Sequence, residues 1–241
     1  EYEKTFLPFI LLSKKRYVGM LYEDDPDKGK IKFMGIVLKR RDNAPIVKDI
    51  YGGIIDKIIK ERSMEKAIRY CKECLQNMVN EIYPIEKLMI TKALRGYYKN
   101  PKQIAHNVLA NRVGEREQGN RPTAGDRIKY VYIQTDMKHA LQGDKIETPE
   151  YIVANSLKIN YAFYITNQIM KPILQLFALG LEDMPAFKKR HGHSLSRWYN
   201  ILIELQIKWD LDDDKFAKKL DELKGKEVKA LVFDEYLNML R

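Results

Sequence analysis

Residues 9–22 read FILLSKKRYVGMLY and residues 30–38 read KIKFMGIVL, with EDDPDKGK at 23–30 between them. Both runs are rich in β-branched and aromatic residues, and the acidic, Pro- and Gly-containing link is turn-forming, so the pattern predicts an antiparallel hairpin. Residues 1–38 therefore read as β structure. After RRDNAP (40–45) the period changes to helical, with apolar pairs at Ile46/Val47, Ile50/Tyr51, Ile54/Ile55 and Ile58/Ile59. Asn43 or Asp42 is the expected cap of this helix, with Pro45 in its first turn.

Further along, Ser63 opens a second helix whose stripe includes Ala67, Cys71, Leu75 and Met78. IEKLMITKAL (85–94) is expected to be extended, and Asn100-Pro101 to open a helix reaching about Arg112. RIKYVYIQ (127–134) alternates like a strand after the polar loop EREQGNRPTAGD. Thr148-Pro149 starts a short helix, and Asn160 caps a longer one towards Phe177 that Pro172 interrupts or kinks. From about Met184 the texture is highly charged. SLSRWYNILIELQIKW, DDKFAKKLDELKG and KEVKALVFDEYLNML are each expected to form an amphipathic helix. The fold class is α+β, a small β piece followed by a mainly helical body.

Composition narrows the function classes. At 241 residues and 45% hydrophobic content the chain holds one large domain or two small ones, and is not a disordered composition. No apolar run approaches the ~20 residues of a membrane span. EYEKTFLPFILL lacks the layout of a signal peptide. The start at Glu1 is expected of a piece of something longer. Forty-three Lys and Arg against 33 Asp and Glu leave a net charge of +10, which points to a polyanionic partner, nucleic acid ahead of a membrane surface.

Cys71 and Cys74 fit a reducing compartment, and with no second cysteine pair they read as core packing rather than a zinc site. His191-Gly-His193 offers two ligands without an evident third. Glu23-Asp24-Asp25 and Asp212-Asp213-Asp214 read as a turn and a helix start rather than a two-metal centre. No P-loop, dinucleotide fingerprint or nucleophile motif is present.

Six segments, in order and in register, take the reading further. They are Lys14-Lys15-Arg16-Tyr17 within EKTFLPFILLSKKRYVGMLY, and GIVLKRRDNAP with Gly35, Arg40, Arg41, Asp42 and Pro45. Ile90-Thr91-Lys92-Ala93-Leu94 and the pair His106 and Ala110 come next, followed by Gly125-Asp126-Arg127-Ile128 leading into Tyr130-Val131. The last is YIVANSLKINYAFYITNQIMKPILQLF, with Tyr151, Asn155, Leu157, Ile159, Tyr164, Gln168, Pro172 and Phe177. Over roughly residues 1–186 the chain resembles the delta-like B-family DNA polymerases, from the strand after their YGDTDS motif through the thumb.

The resemblance implies the C-terminal part of the palm at 1–42, the thumb at 43–186 and a charged helical extension at 187–241. It places the family's metal-binding aspartates upstream of Glu1. Asn160 stands where an Asp is usual, with no functional change expected, and the paired-cysteine tail of cellular enzymes is absent, which fits a large DNA virus of eukaryotes at least as well as a cellular enzyme.

Site roles follow from the same resemblance. Lys14 and Lys15, Lys15 foremost, donate to minor-groove acceptors that every base pair offers, with Arg16 beside them and Tyr17 holding the primer-terminal phosphate. Arg40 and Arg41 grip primer phosphates, and Asp42 buttresses one of them or caps the following helix. Lys92, His106, Arg112, Arg116 and Arg127 are second-rank contacts, Arg127 first among them. Against these stand plainer readings: KKR as a solvated strand face, Arg40 and Arg41 as surface charge, His106 as a packed histidine.

The expected function is duplex grip and primer-terminus positioning within a DNA-directed DNA polymerase. Mg²⁺ serves the parent enzyme, no cofactor is bound by this chain, and the chain alone is inactive. Expected partners are primer–template DNA, the remaining palm, fingers and exonuclease, and a processivity factor, with no membrane. The expected location is intracellular, in the nucleus or a cytoplasmic viral replication site. The alternatives are a non-catalytic DNA-binding or assembly subunit, such as the small half of a split polymerase, and a protein-interaction role for residues 187–241.

Overall fold

The structure, a computed structural model, describes residues 4–25, 28–39, 42–209 and 212–240. Its first unit is a three-stranded antiparallel sheet, β1 (Thr5–Ser13), β2 (Arg16–Tyr22) and β3 (Lys30–Met34), in the order β1-β2-β3. The run FILLSKKRYVGMLY is thus two strands rather than one, because Lys14 and Lys15 turn the chain. Lys15 takes a left-handed conformation, φ 63°, without a Gly or Asn to announce it. Twenty residues on, Gly35 packs against this turn. This glycine also has φ 63°, and a side chain there would run into the Lys15 carbonyl. Gly35 thereby lets β3's end pass directly beneath the turn.

The inner face of the sheet, including Val18 and Met20, joins the main core. The outer face carries Tyr17, with Phe6 and Phe9 at ring-centroid distances of 5.9 and 5.4 Å. Leu11 on the same face is 58% exposed.

Two long helices follow, α1 (Pro45–Ile59) and α2 (Met64–Val79), each burying the stripe its periodicity marked. Gly53 lets them pack closely, since a side chain there would collide with the Tyr70 ring. Ser63 caps α2, its hydroxyl accepting from the Lys66 amide at 3.2 Å. Neither Asn43 nor Asp42 caps α1. Its N-cap is Ala44, whose own amide donates to Gln168 Oε1 at 3.0 Å, across 124 residues of sequence.

Residues 85–94 are part helix and part strand rather than extended throughout. The single turn α3 (Ile85–Leu88) precedes β4 (Ile90–Ala93). A 3₁₀ turn at Pro101–Gln103 delays α4 to Ala105–Arg116, so Asn100 caps nothing with its side chain. The alternating segment forms β5 (Arg127–Tyr132), antiparallel to β4 and to the two-residue β6 (Ile146–Glu147).

Thr148 caps α5 (Pro149–Asn155), and Asn160 caps the next helix through a 2.9 Å bond from the Phe163 amide. That helix starts as α6 (Tyr161–Phe163), widens to a π-helix over Tyr164–Ile169 and continues as α7 (Met170–Ala178). Pro172 has no amide hydrogen to give Gln168. In the widened stretch, side chains take up carbonyls: Thr166 Oγ1 donates to Ala162 and Asn167 Nδ2 to Phe163, at 2.8 and 3.2 Å.

Tyr164 staples this helix to the second sheet. Its buried hydroxyl donates to the Leu88 carbonyl at 2.7 Å and accepts from the Tyr132 amide at 3.0 Å. Tyr164→Phe is expected to cost about 2–4 kcal/mol, because two buried backbone groups lose their partner at once. Urea unfolding measures it, and a loss below ~1 kcal/mol would mean other groups satisfy them.

The C-terminal region holds α8 (Pro185–His191), α9 (Ser196–Trp209), α10 (Asp213–Val232) and α11 (Asp234–Met239). The segments expected as two helices, DDKFAKKLDELKG and KEVKALV, are the single 20-residue α10, which runs straight through Gly225. α10 lies along α7 and touches α2, burying Val228, Val232 and Phe233. Cys71 and Cys74 are both buried on α2, and burial pushes their thiols up, so they pack as small apolar groups.

Candidate nucleic-acid interface

The sequence Lys14-Lys15-Arg16-Tyr17 divides at the hairpin turn. Lys14 and Lys15 are exposed at the tip, where the backbone reverses between Ser13 and Arg16. Alternation along β2 then sends Arg16 and Tyr17 to opposite faces. Tyr17 stands on the outer face among Phe6 and Phe9, opposite Leu11 and Met34. Arg16 follows Val18 and Met20 inward. Its Nε is buried with no hydrogen-bond partner among the described residues. Its charge is felt on α1: burial pushes the Tyr51 phenol up to about 12, and Arg16 pulls in the opposite direction. Arg16 is therefore on the opposite face of β2 from Tyr17, buttressing the strand from behind.

Arg40 and Arg41 lie outside the described residues. The segment that follows them is held at two points. Asp42 is bridged by Lys92 Nζ at 3.2 Å, and the Ala44 amide is held by Gln168. Lys92 is thus brought to the junction before α1, fifty residues away in sequence.

Arg127 is not brought there. In the β4–β5 register Lys92 stands opposite Ile128 and Ala93 opposite Arg127, so the two cations are on opposite faces of the ribbon. Arg127 is exposed at the mouth of a loop that Asp126 orders by accepting from the Thr123 amide and hydroxyl at 2.7 and 3.0 Å. Those bonds also hold the Asp126 carboxyl below its usual range.

Arg112 and Arg116 are committed elsewhere. Glu147, 2% exposed, accepts from Arg112 Nη1 at 3.1 Å and from Arg116 Nη2 at 2.8 Å. Arg112 also donates to the carbonyls of Gly143 and Ile146, and Arg116 lies over the Tyr151 ring at 3.5 Å. This is a structural clamp joining α4 to β6 and α5.

His106 is half-buried and bonded rather than presented to solvent, its Nε2 lying 3.0 Å from the Tyr98 hydroxyl. Burial holds its pKa below the usual value, and the charge of Lys92 adds to the effect. Residues 95–102, RGYYKNPK, interleave cations with aromatics, and that signal marks a surface the motif reading passed over. Tyr97 within it is 80% exposed.

The acidic runs do not form a cation centre. Asp212 caps α10 through the Lys215 amide at 2.8 Å and bridges the Lys215 ammonium. Glu23, Asp24 and Asp25 share an open cavity of about 760 Å³ with lysines that include Lys28, Lys30 and Lys32. Among the described residues no group of three or more His, Cys, Asp or Glu side chains is arranged to hold a metal ion. No helix among them is long and apolar enough to cross a membrane.

The described residues thus form an α+β fold with an exposed lysine hairpin, an aromatic sheet face behind it and a mainly helical body. Comparison with known proteins makes this specific. Residues 1–179 match DNA polymerase family B, and the chain belongs to that family.

It is 50% identical over 239 residues to a DNA polymerase of Pyramimonas orientalis virus, covering 98% of this chain and 19% of that protein. It is 49% identical over 214 residues to a DNA polymerase of Acanthamoeba polyphaga mimivirus, covering 82% of this chain and 12% of that one. With the DNA polymerase delta catalytic subunit of Candida albicans it shares 37% identity over 180 residues, 73% of this chain and 17% of the relative. The chain thus spans about a fifth or less of the length of these relatives. The family B DNA polymerase of the archaeon Pyrobaculum calidifontis shares the fold, with a TM-score of 0.58 over 73% of this chain and 22% of that chain at 20% identity.

Proposed function

We propose that the chain supplies duplex grip and primer-terminus positioning to a polymerase that copies a DNA template. Family membership over residues 1–179, together with two exposed lysines on a turn that Gly35 braces, is the observation that carries this reading. Lysine donors at a rigid tip can reach acceptors present at every base pair, so they monitor the duplex without reading sequence. Tyr17, anchored between Phe6 and Phe9, is placed to meet the primer terminus, and Arg40 and Arg41 supply phosphate contacts at the junction.

Primer–template DNA is the principal partner. The remainder of the polymerase is the second. A processivity factor and a nuclear or cytoplasmic viral site of replication belong to the same proposal.

Two-Mg²⁺ chemistry does not fit the carboxylates described above, and no chemical step is assigned to them. The purified chain is therefore expected to bind a labelled primer–template duplex with a steep salt dependence and to add no nucleotide. Nucleotide incorporation by the chain alone would contradict the assignment, as would binding indifferent to salt.

A further inference from the structure

The loop after β4 is held by a relay of hydrogen bonds. The Arg95 amide donates to the Tyr98 hydroxyl oxygen at 2.8 Å. That hydroxyl lies 3.0 Å from His106 Nε2, and the ring makes a backbone hydrogen bond to Ala93. An amide N–H can only donate, so Tyr98 receives the Arg95 proton and has its own to give. Burial and the neighbouring charges of Lys92 and Arg95 hold the His106 pKa below its usual value, while the backbone bond to Ala93 acts in the opposite direction.

The relay runs from Arg95 through Tyr98 and His106 back to the end of β4. It closes the loop on itself, while the Leu94 amide and carbonyl bond Asp126 and Gly125 at 2.9 and 3.0 Å. Arg95 is exposed on this loop, and its charge reaches His106 together with that of Lys92.

We infer that Arg95 is a phosphate ligand of the duplex grip and that Tyr98 and His106 are positioning residues which hold it beside Lys92. The inference rests on the proposed function. Lys92 is already bridged to Asp42 in the segment before α1, and Arg95, three residues further along the chain, offers an exposed second cation just after β4. A flexible arginine would lose side-chain and loop entropy on meeting a phosphate. The relay removes the loop part of that cost beforehand. Tyr98 and His106 themselves need not touch DNA.

The test is fluorescence anisotropy of the 241-residue chain with a primer–template duplex across a salt series, for wild type, R95A, Y98F and the R95A/Y98F double variant. R95A is expected to weaken binding by about 3–10-fold and to lower the salt slope by about one. Y98F is expected to reproduce part of that loss, and the double variant to bind no worse than R95A, since both changes act through one contact. H106A is expected to behave like Y98F, while H106Q, whose amide oxygen can accept from Tyr98, stays within about twofold of wild type. Losses for R95A and Y98F that multiply, or a Y98F chain that binds like wild type, would overturn the relay's role. Wild-type chain that shows no salt-dependent binding would instead remove the duplex-grip reading beneath it.

Discussion

Replacing Lys14, Lys15, Arg40 and Arg41 together by alanine is expected to weaken duplex binding about 100-fold at moderate salt. An exposed cation held against the duplex, at a groove acceptor or at a phosphate, contributes on the order of 0.7 kcal/mol, and four of them sum to about two factors of ten. The slope of log affinity against log salt should flatten by about three, because those contacts no longer displace condensed counterions. Duplexes of unrelated sequence should show the same loss, since neither phosphates nor the shared minor-groove acceptors identify a base pair. Arg16→Ala provides the internal contrast. Its buried Nε makes it a support for β2, so its effect should appear first in stability and only weakly in the salt slope. Salt-series binding with these two variants settles the point, and a quadruple variant indistinguishable from wild type would end the hairpin-grip reading.

The second large effect is expected at Glu147. Removing this buried carboxylate by Glu147→Ala takes the close ion-pair partner from both guanidinium groups, and such a loss costs about 3–5 kcal/mol. Arg112 is left with Asp144 at 3.7 Å and two carbonyls, and Arg116 with the Tyr151 ring. For a chain of this length that lowers the thermal midpoint by roughly 6–20 °C. The cost comes from what is left unpaired rather than from the net value of the pair. The triple change Glu147→Leu, Arg112→Met and Arg116→Met should therefore recover most of the midpoint, as apolar packing replaces the charged cluster. Thermal unfolding of the two variants checks both halves. A midpoint for Glu147→Ala within about 2 °C of wild type would mean that water reaches the arginines and compensates them.

The sequence by itself determined the features whose cause lies within a few residues. The stripes of α1 and α2, the caps at Ser63, Thr148 and Asn160, the alternation of β5 and the excess of positive charge are all local, so a short window carries them. Six ordered motifs also made the family legible before any geometry. Tertiary structure decided everything that depends on a distant partner. The Lys14–Lys15 turn has no glycine of its own and packs against Gly35, so the run FILLSKKRYVGMLY carries no local sign that it is two strands.

Lys92 and Arg127 look alike in sequence, yet antiparallel register sends them to opposite faces of one ribbon. Arg112 and Arg116 carry the same charge as any phosphate-binding arginine, and Glu147, 35 residues beyond Arg112, commits both to the interior. The α1 cap was misplaced for the same reason: Lys92 takes Asp42, and Gln168 reaches the Ala44 amide from another helix. A charged side chain states what it can bind, but which partner it meets is set by the packing that brings two remote segments within 3 Å or so.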